Sequence, residues 1–240
     1  MRLPVRFSLF SAVLVAGLLA TISPADGQVQ PSVQSTSSQT TGNGTYVAID
    51  PLANVHYDNK WDVSLGMAYD HMKAGPTLVQ GSNTGGLDLD VSYWLSRHWA
   101  AEGSARPYVG TSGAGPNPYN IEGPFVAQYF VVGGPEWLGP HNKHGALIAH
   151  AMFGGVYGDF QHDLRGTPPS AVDFYNDQFA PAAIIGGHID LNRSAQWVFR
   201  VTPDAVIARY SINYGPKYTR TDVNFAISVG VEYRFKSKRR

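Results

Sequence analysis

Three groups of side chains in this chain have the types and spacing that chemistry needs. His188 and Asp190, in the run GGHIDLN, stand two residues apart, so an extended segment would place an imidazole and a carboxylate on one face. With a serine hydroxyl brought close, they would form the base and the orienting acid of a nucleophilic hydrolase. His141 and His144, in HNKH, offer two imidazoles to a metal. The surrounding sequence supplies no further ligands, and the segment reads as a solvated polar turn. The glycine-rich runs GSNTGG and TSGAGPNP invite a phosphate-loop reading, but both lie between predicted strands with no helix following. No nucleophile in the sequence pairs with His188. No residue is therefore assigned a catalytic or metal-binding role, no cofactor is expected, and the chain is not expected to be an enzyme.

The stronger chemical signal is ionic, and it depends on the elements that carry it. In DVNFAISVGVEYRF, the odd positions from Val223 to Phe235 are apolar, and the even positions from Asp222 to Arg234 are small or charged. A two-residue period means a β-strand with different surroundings on its two faces. Fourteen regular positions are more than most globular strands have and suit a bilayer crossing, which needs about nine to eleven tilted residues. Eight such strands are predicted: Trp61–Lys73, Gly86–Leu95, His98–Gly110, Pro124–Trp137, Gly145–Phe160, Ala180–Asn192, Ala195–Tyr210 and Asp222–Phe235. The fourth and fifth are apolar on both faces, so their facing stays open. The connections alternate between long and short, as they do in outer-membrane barrels with short periplasmic turns and long external loops. The fold class predicted is all-β: an eight-stranded antiparallel transmembrane barrel with up-and-down topology, spanning residues 61–235.

If the apolar faces meet lipid, the other faces look into the lumen. That inward set contains Asp88, Asp90, Glu102, Arg106, His188, Asp190, Arg200, Asp204, Glu232 and Arg234, together with Asp62, Asp70, Glu136 and His150. An Arg or Lys facing lipid at midplane costs about 2–4 kcal/mol, so these charges belong inside. Arg106, Arg200 and Arg234 are expected to pair with some of Asp88, Asp90, Glu102, Asp204 and Glu232. The result is either a sealed ionic core or, as the alternative, a narrow ion path gated by salt bridges. Trp61, Trp99, Trp137 and Trp197 fall at one end of the strands and, with Tyr233 and Phe235, are expected to form an interfacial aromatic belt. Trp94 lies at the same end but shares its parity with Asp88 and Asp90, so it should point inward unless a bulge intervenes.

Ahead of the barrel, Arg2 and Arg6 precede the apolar run Leu9–Ile22 and the small residues Ala25–Gly27, the pattern of a cleaved secretory signal peptide over residues 1–27. Residues 28–60 read as a flexible linker, with 45–60 as an edge segment or a plug-like lead-in. KSKRR (236–240) is a basic tail. The chain has no cysteine, so neither lipoprotein attachment nor disulfides are available. Formal net charge is zero and no basic stripe exists, which excludes a nucleic-acid partner.

Together, the signal peptide, the strand–turn–strand run GGHIDLNRSAQWVFRVTPDAVIARYS and the closing NFAISVGVEYRF resemble the OmpA-type eight-stranded outer-membrane β-barrel of Gram-negative bacteria, in its stand-alone form. The closing stretch, with Tyr233 and Phe235 in alternation, is similar to the terminal signal read by the barrel-assembly machinery, although KSKRR follows it here. The resemblance implies a monomer in the outer membrane, in contact with lipid or lipopolysaccharide. It also implies a structural or surface-interaction role, such as integrity or adhesion, with a possible ligand at the long loops and the third loop (Gln161–Phe179) foremost. A small pore is the alternative. A lipid-modifying enzyme and a soluble lipocalin-like carrier are weaker ones.

Overall fold

The computed structural model describes residues 50–76, 78, 81–212 and 218–236. The predicted signal peptide, most of the linker and all of the tail beyond residue 236 lie outside the described residues. Eight strands form one closed antiparallel barrel: β1 (Trp61–Met72), β2 (Ser82–Trp94), β3 (Trp99–Thr111), β4 (Phe125–His141), β5 (Gly145–Asp159), β6 (Gln178–Asn192), β7 (Trp197–Ile212) and β8 (Tyr218–Arg234). Each strand pairs with its neighbours in sequence. β8 returns to β1 with Leu65 opposite Val231 and Gly66 opposite Gly230, which leaves no free sheet edge. In fold, the chain is a small up-and-down barrel. A single turn of helix, α1 (Pro169–Val172), interrupts the connection between β5 and β6.

Leu65, Met67, Leu87, Leu89, Val131, Phe153, Ile185, Ile189, Val223 and Val231 all face out and are exposed, Met67 by 67% and Val131 by 70%. Such a continuous apolar exterior far exceeds the patch a soluble monomer shows to water, and it fits acyl chains. The alternate positions are buried. The polarity of each strand thus runs opposite to that of a water-soluble sandwich, as the outward-facing apolar rows predict.

Several strands run further than the hydrophobic pattern indicated. β2 starts at Ser82, β7 continues to Ile212 and β8 begins at Tyr218. The cause is visible in β2, where inward Ser82 and Thr84 alternate with outward Asn83. Beyond the apolar band both faces meet polar surroundings, so the ladder persists after the hydrophobic alternation has stopped. β4 likewise extends to His141, and the predicted seven-residue turn contracts to residues 142–144. Long connections (73–81, 112–124, 160–177) sit at one end and tight ones (95–98, 142–144, 193–196) at the other. The last connection, predicted to be long, contracts to residues 213–217, which lie outside the described residues.

Candidate functional site: the filled lumen

An eight-stranded barrel is just wide enough for its own side chains. Here they fill it in three zones, starting from the tryptophan end. In the first, Tyr57 from the lead-in sits across the mouth. Its hydroxyl donates to the Asn142 carbonyl at 3.0 Å and accepts from Asn192 Nδ2 at 2.8 Å. The Arg234 guanidinium lies 4.6 Å from the centre of its ring, and the ring packs with Trp94 on Leu138, Ala146 and Ile148. Of the two expectations for residues 45–60, the plug describes Tyr57. Trp94 does point inward, with no bulge, and its indole nitrogen donates to Asp62 Oδ2 at 2.6 Å. Replacing Tyr57 with Ala is expected to destabilise the folded barrel by about 2 kcal/mol, the scale of a partly desolvated cation–π contact plus hydrogen bonds. Tyr57→Phe should lose only about half of that. Urea titration in micelles measures both, and equal losses would locate the effect in the hydroxyl alone.

The second zone is ionic. Arg200 donates to Asp190 at 2.8 Å and pairs with Glu232, while Arg234 reaches Glu232 at 2.6 Å and Asp190 at 3.0 Å. Both guanidiniums thus share the same two carboxylates across β6, β7 and β8. Deeper in, Arg106 from β3 pairs with Asp88 at 2.6 Å and with Asp204 on the far side, and Asp90 lies 3.6 Å away. Every lumen residue predicted from strand parity is buried.

Two carboxylates have partners that strand parity did not name. Glu102 meets no arginine within ion-pair distance among the described residues. Its partners are His150 at 3.0 Å and His188 at 3.2 Å. Asp190 does not orient His188, because Arg200 and Arg234 hold its carboxylate. The reason is strand stagger: parity tells which face a residue occupies, whereas the height at which residues from different strands meet is set by register. The hydroxyl beside His188 belongs to Thr202, 2.9 Å from Nδ1, and both residues are 1% exposed. His150 links Glu102 to Asp204 at 2.8 Å. Its inward parity was readable from GALIAHAMF, but its bridging role was not.

The third zone lies towards the long loops and is apolar, beside the ionic core that the sequence implied. Inward-facing Tyr108, Val126, Phe130, Met152, Val156, Ile184, Val206 and Tyr210 form a core with Phe160, Leu164, Phe174 and Tyr175 from the β5–β6 connection. The fourth and fifth predicted strands could be apolar on both faces because lipid lies on one side and this core on the other. Hydrogen bonds tie the cap in place. Tyr175 Oη donates to Asp222 at 2.7 Å, the Tyr175 amide donates to the Ala74 carbonyl at 3.0 Å, and Gln128 Nε2 donates to Tyr210 Oη at 2.7 Å. Burial and the Asp222 carboxylate beside it push the Tyr175 phenol pKa up, so it remains a neutral donor. Two cavities within the barrel hold about 10 Å³ each, room for about one water apiece.

The side chains expected to form the aromatic belt are exposed or half-exposed at one end of the strands. Trp61, Trp99, Trp137 and Trp197 are exposed by 43–52%; Trp99 faces Trp137 across β3–β4, and Trp197 faces Tyr233 across β7–β8. Phe235 lies just past the end of β8, exposed, with its ring centre 5.0 Å from that of Tyr233. His141 Nδ1 bonds the Gly139 carbonyl at 2.8 Å, and its ring packs on Tyr57 at 4.7 Å.

No family model and no curated protein matches the chain. Solved structures similar to it include the outer membrane protein OprG from Pseudomonas aeruginosa, with a TM-score of 0.49 and 15% identity, covering 77% of this chain and 99% of that one. Neisserial surface protein A is similar with a TM-score of 0.47 and 9% identity, covering 73% of this chain and 97% of that one. The attachment invasion locus protein Ail of Yersinia pestis is similar with a TM-score of 0.43 and 16% identity, covering 74% and 99%.

Proposed function

We propose that the protein is an outer-membrane barrel that works as a closed platform, with a structural or surface-contact role and neither transport nor catalysis. One observation carries this reading: a barrel with an apolar exterior whose interior is filled from end to end, by Tyr57, by paired charges and by an aromatic cap. The tryptophan end is assigned to the periplasmic side, with the long loops outside, because short turns and the chain ends share that rim in barrels of this kind. The belt residues contact lipid headgroups of the periplasmic leaflet, the barrel wall nearer the long loops meets lipopolysaccharide, and β8 with Tyr233 and Phe235 is the segment offered to the assembly machinery. The chain acts as a monomer.

The surface contact is assigned to the connection at residues 160–177. Its apolar side chains turn into the cap, leaving His162, Asp163 and Arg165 exposed, a set that suits a polar partner. Asp163 also accepts the Phe125 amide at 3.0 Å, and Asp177 accepts the amides of Phe160 and Gln161 at 2.7 and 2.9 Å, so the loop is held in shape before a partner arrives.

The test is electrical. Purified folded protein in planar bilayers is expected to leave the membrane silent at moderate voltage, while the same preparation shows heat-modifiable mobility on a gel. Stepwise conductance that changes when Arg200 or Arg234 is neutralised would replace this reading with the pore. Recovery in the soluble periplasmic pool without detergent would replace it with a carrier.

A further inference from the structure

Glu102 on β3, His150 on β5 and His188 on β6 meet in the middle of the lumen, and their donor atoms point at one another. His150 Nδ1 lies 3.0 Å from Glu102 Oε2 and 3.2 Å from His188 Nε2, and His188 Nε2 lies 3.2 Å from Glu102 Oε1. A tetrahedral zinc ion with bonds of about 2.0–2.1 Å has donor-to-donor edges of about 3.3 Å; the nitrogen-to-nitrogen edge is close to that, and each nitrogen lies close to that distance from one of the two oxygens of the Glu102 carboxylate. The remote nitrogen of each ring is also held: His150 Nε2 by Asp204 at 2.8 Å, and His188 Nδ1 by Thr202 Oγ1 at 2.9 Å. Partners of that kind orient metal-ligating histidines and fix their tautomers.

The charge around the site is consistent with a cation. Arg106, Arg200 and Arg234 are the only buried arginine or lysine residues among the described residues, against a much larger set of buried carboxylates. Glu136, fully buried and directly opposite His150 in the β4–β5 pairing, has no cation within ion-pair distance among the described residues, and its oxygens make no well-formed hydrogen bond. We propose that Glu102, His150 and His188 form a binding site for one divalent transition-metal ion of the zinc class, which pins β3, β5 and β6 together inside the barrel. Mixed imidazole and carboxylate donors suit zinc, copper, nickel or iron rather than calcium or magnesium. Three protein ligands leave the remaining coordination to water or to a neighbouring oxygen. The inference is independent of the surface-platform reading, since a silent barrel and a conducting one could equally hold the ion.

Zinc ion alone is the probe. The full chain is refolded into micelles after chelator treatment, with and without Zn²⁺, and bound metal is counted after desalting. About one zinc per chain is expected. The unfolding midpoint should rise with zinc, and Co²⁺ should give the visible spectrum of a low-coordinate imidazole site. The double variant H150Q/H188Q should lose the bound metal and the shift together. H141Q/H144Q, which alters the surface histidines only, should keep both. Zinc at background level in the native chain, or retention by H150Q/H188Q, overturns the site and leaves a proton-bridged ion pair. If H150Q/H188Q gives no heat-modifiable folded band, X-ray absorption on zinc-loaded native protein decides: two imidazoles and a carboxylate support the site, and any other ligand set overturns it.

Discussion

Arg106→Met is expected to lower barrel stability by about 3–5 kcal/mol, the scale for removing one partner from a buried ion pair. Arg106 is 1% exposed and reaches across the lumen from β3, so its guanidinium holds Asp88 of β2 and Asp204 of β7, with Asp90 3.6 Å away. Methionine fills most of the volume but leaves Asp88 and Asp90 without their arginine and Asp204 with His150 alone. The relevant comparison is the second substitution. In R106M/D88N one stranded charge is gone, yet the amide carbonyl introduced at that position can still accept from Ser228 Oγ, as Asp88 does at 2.5 Å. The double variant should therefore be more stable than R106M while remaining below the native chain. Urea titrations followed by tryptophan fluorescence in micelles give both numbers. If R106M unfolds at the native midpoint, the ionic zone is solvated rather than sealed, and the closed-platform reading loses its main support.

The residues behind that prediction were legible to different degrees, for physical reasons. Period-two alternation is imposed by lipid on one side and charge on the other, so the inward set, from Asp88 to Arg234, could be read from parity alone. Partner choice could not. Arg200 finds Asp190 and Glu232 because β6, β7 and β8 are staggered so that Asp190 is opposite Arg200 and Val198 is opposite Glu232. Nothing local to any one strand encodes that height. The same applies to Glu102, His150 and His188, which come from three strands and meet only once the barrel closes. The aromatic cap was hidden for another reason. Phe130, Met152 and Val156 are apolar residues in strands that are apolar on both faces, so neither parity was distinguishable from a lipid-facing row. Tyr57 lies in a short segment with no periodicity, where a plug leaves no pattern.

Gly230→Ala is expected to prevent most of the chain from reaching the folded, heat-modifiable form. At the seam where β8 meets β1, Gly230 lies opposite Gly66, and on its other side it lies opposite Arg200 of β7. A β-carbon at Gly230 would overlap the Leu65 carbonyl oxygen and the Gly66 α-carbon, which are backbone atoms that cannot swing aside. The space the two glycines leave open belongs to a cavity they share with Arg200, Thr202 and Ser228. Overpacking of a core usually costs about 1–3 kcal/mol. Here the displaced group is the ladder that closes the barrel, and opening it leaves unpaired backbone groups against lipid, each costing several kcal/mol. The matched control is Gly103→Ala on β3, where an added β-carbon meets nothing within 4 Å. That variant should fold in native yield. The fraction of heat-modifiable band after refolding into micelles measures both, and native yield for Gly230→Ala would mean that β1 and β8 close with a different register from Leu65 opposite Val231.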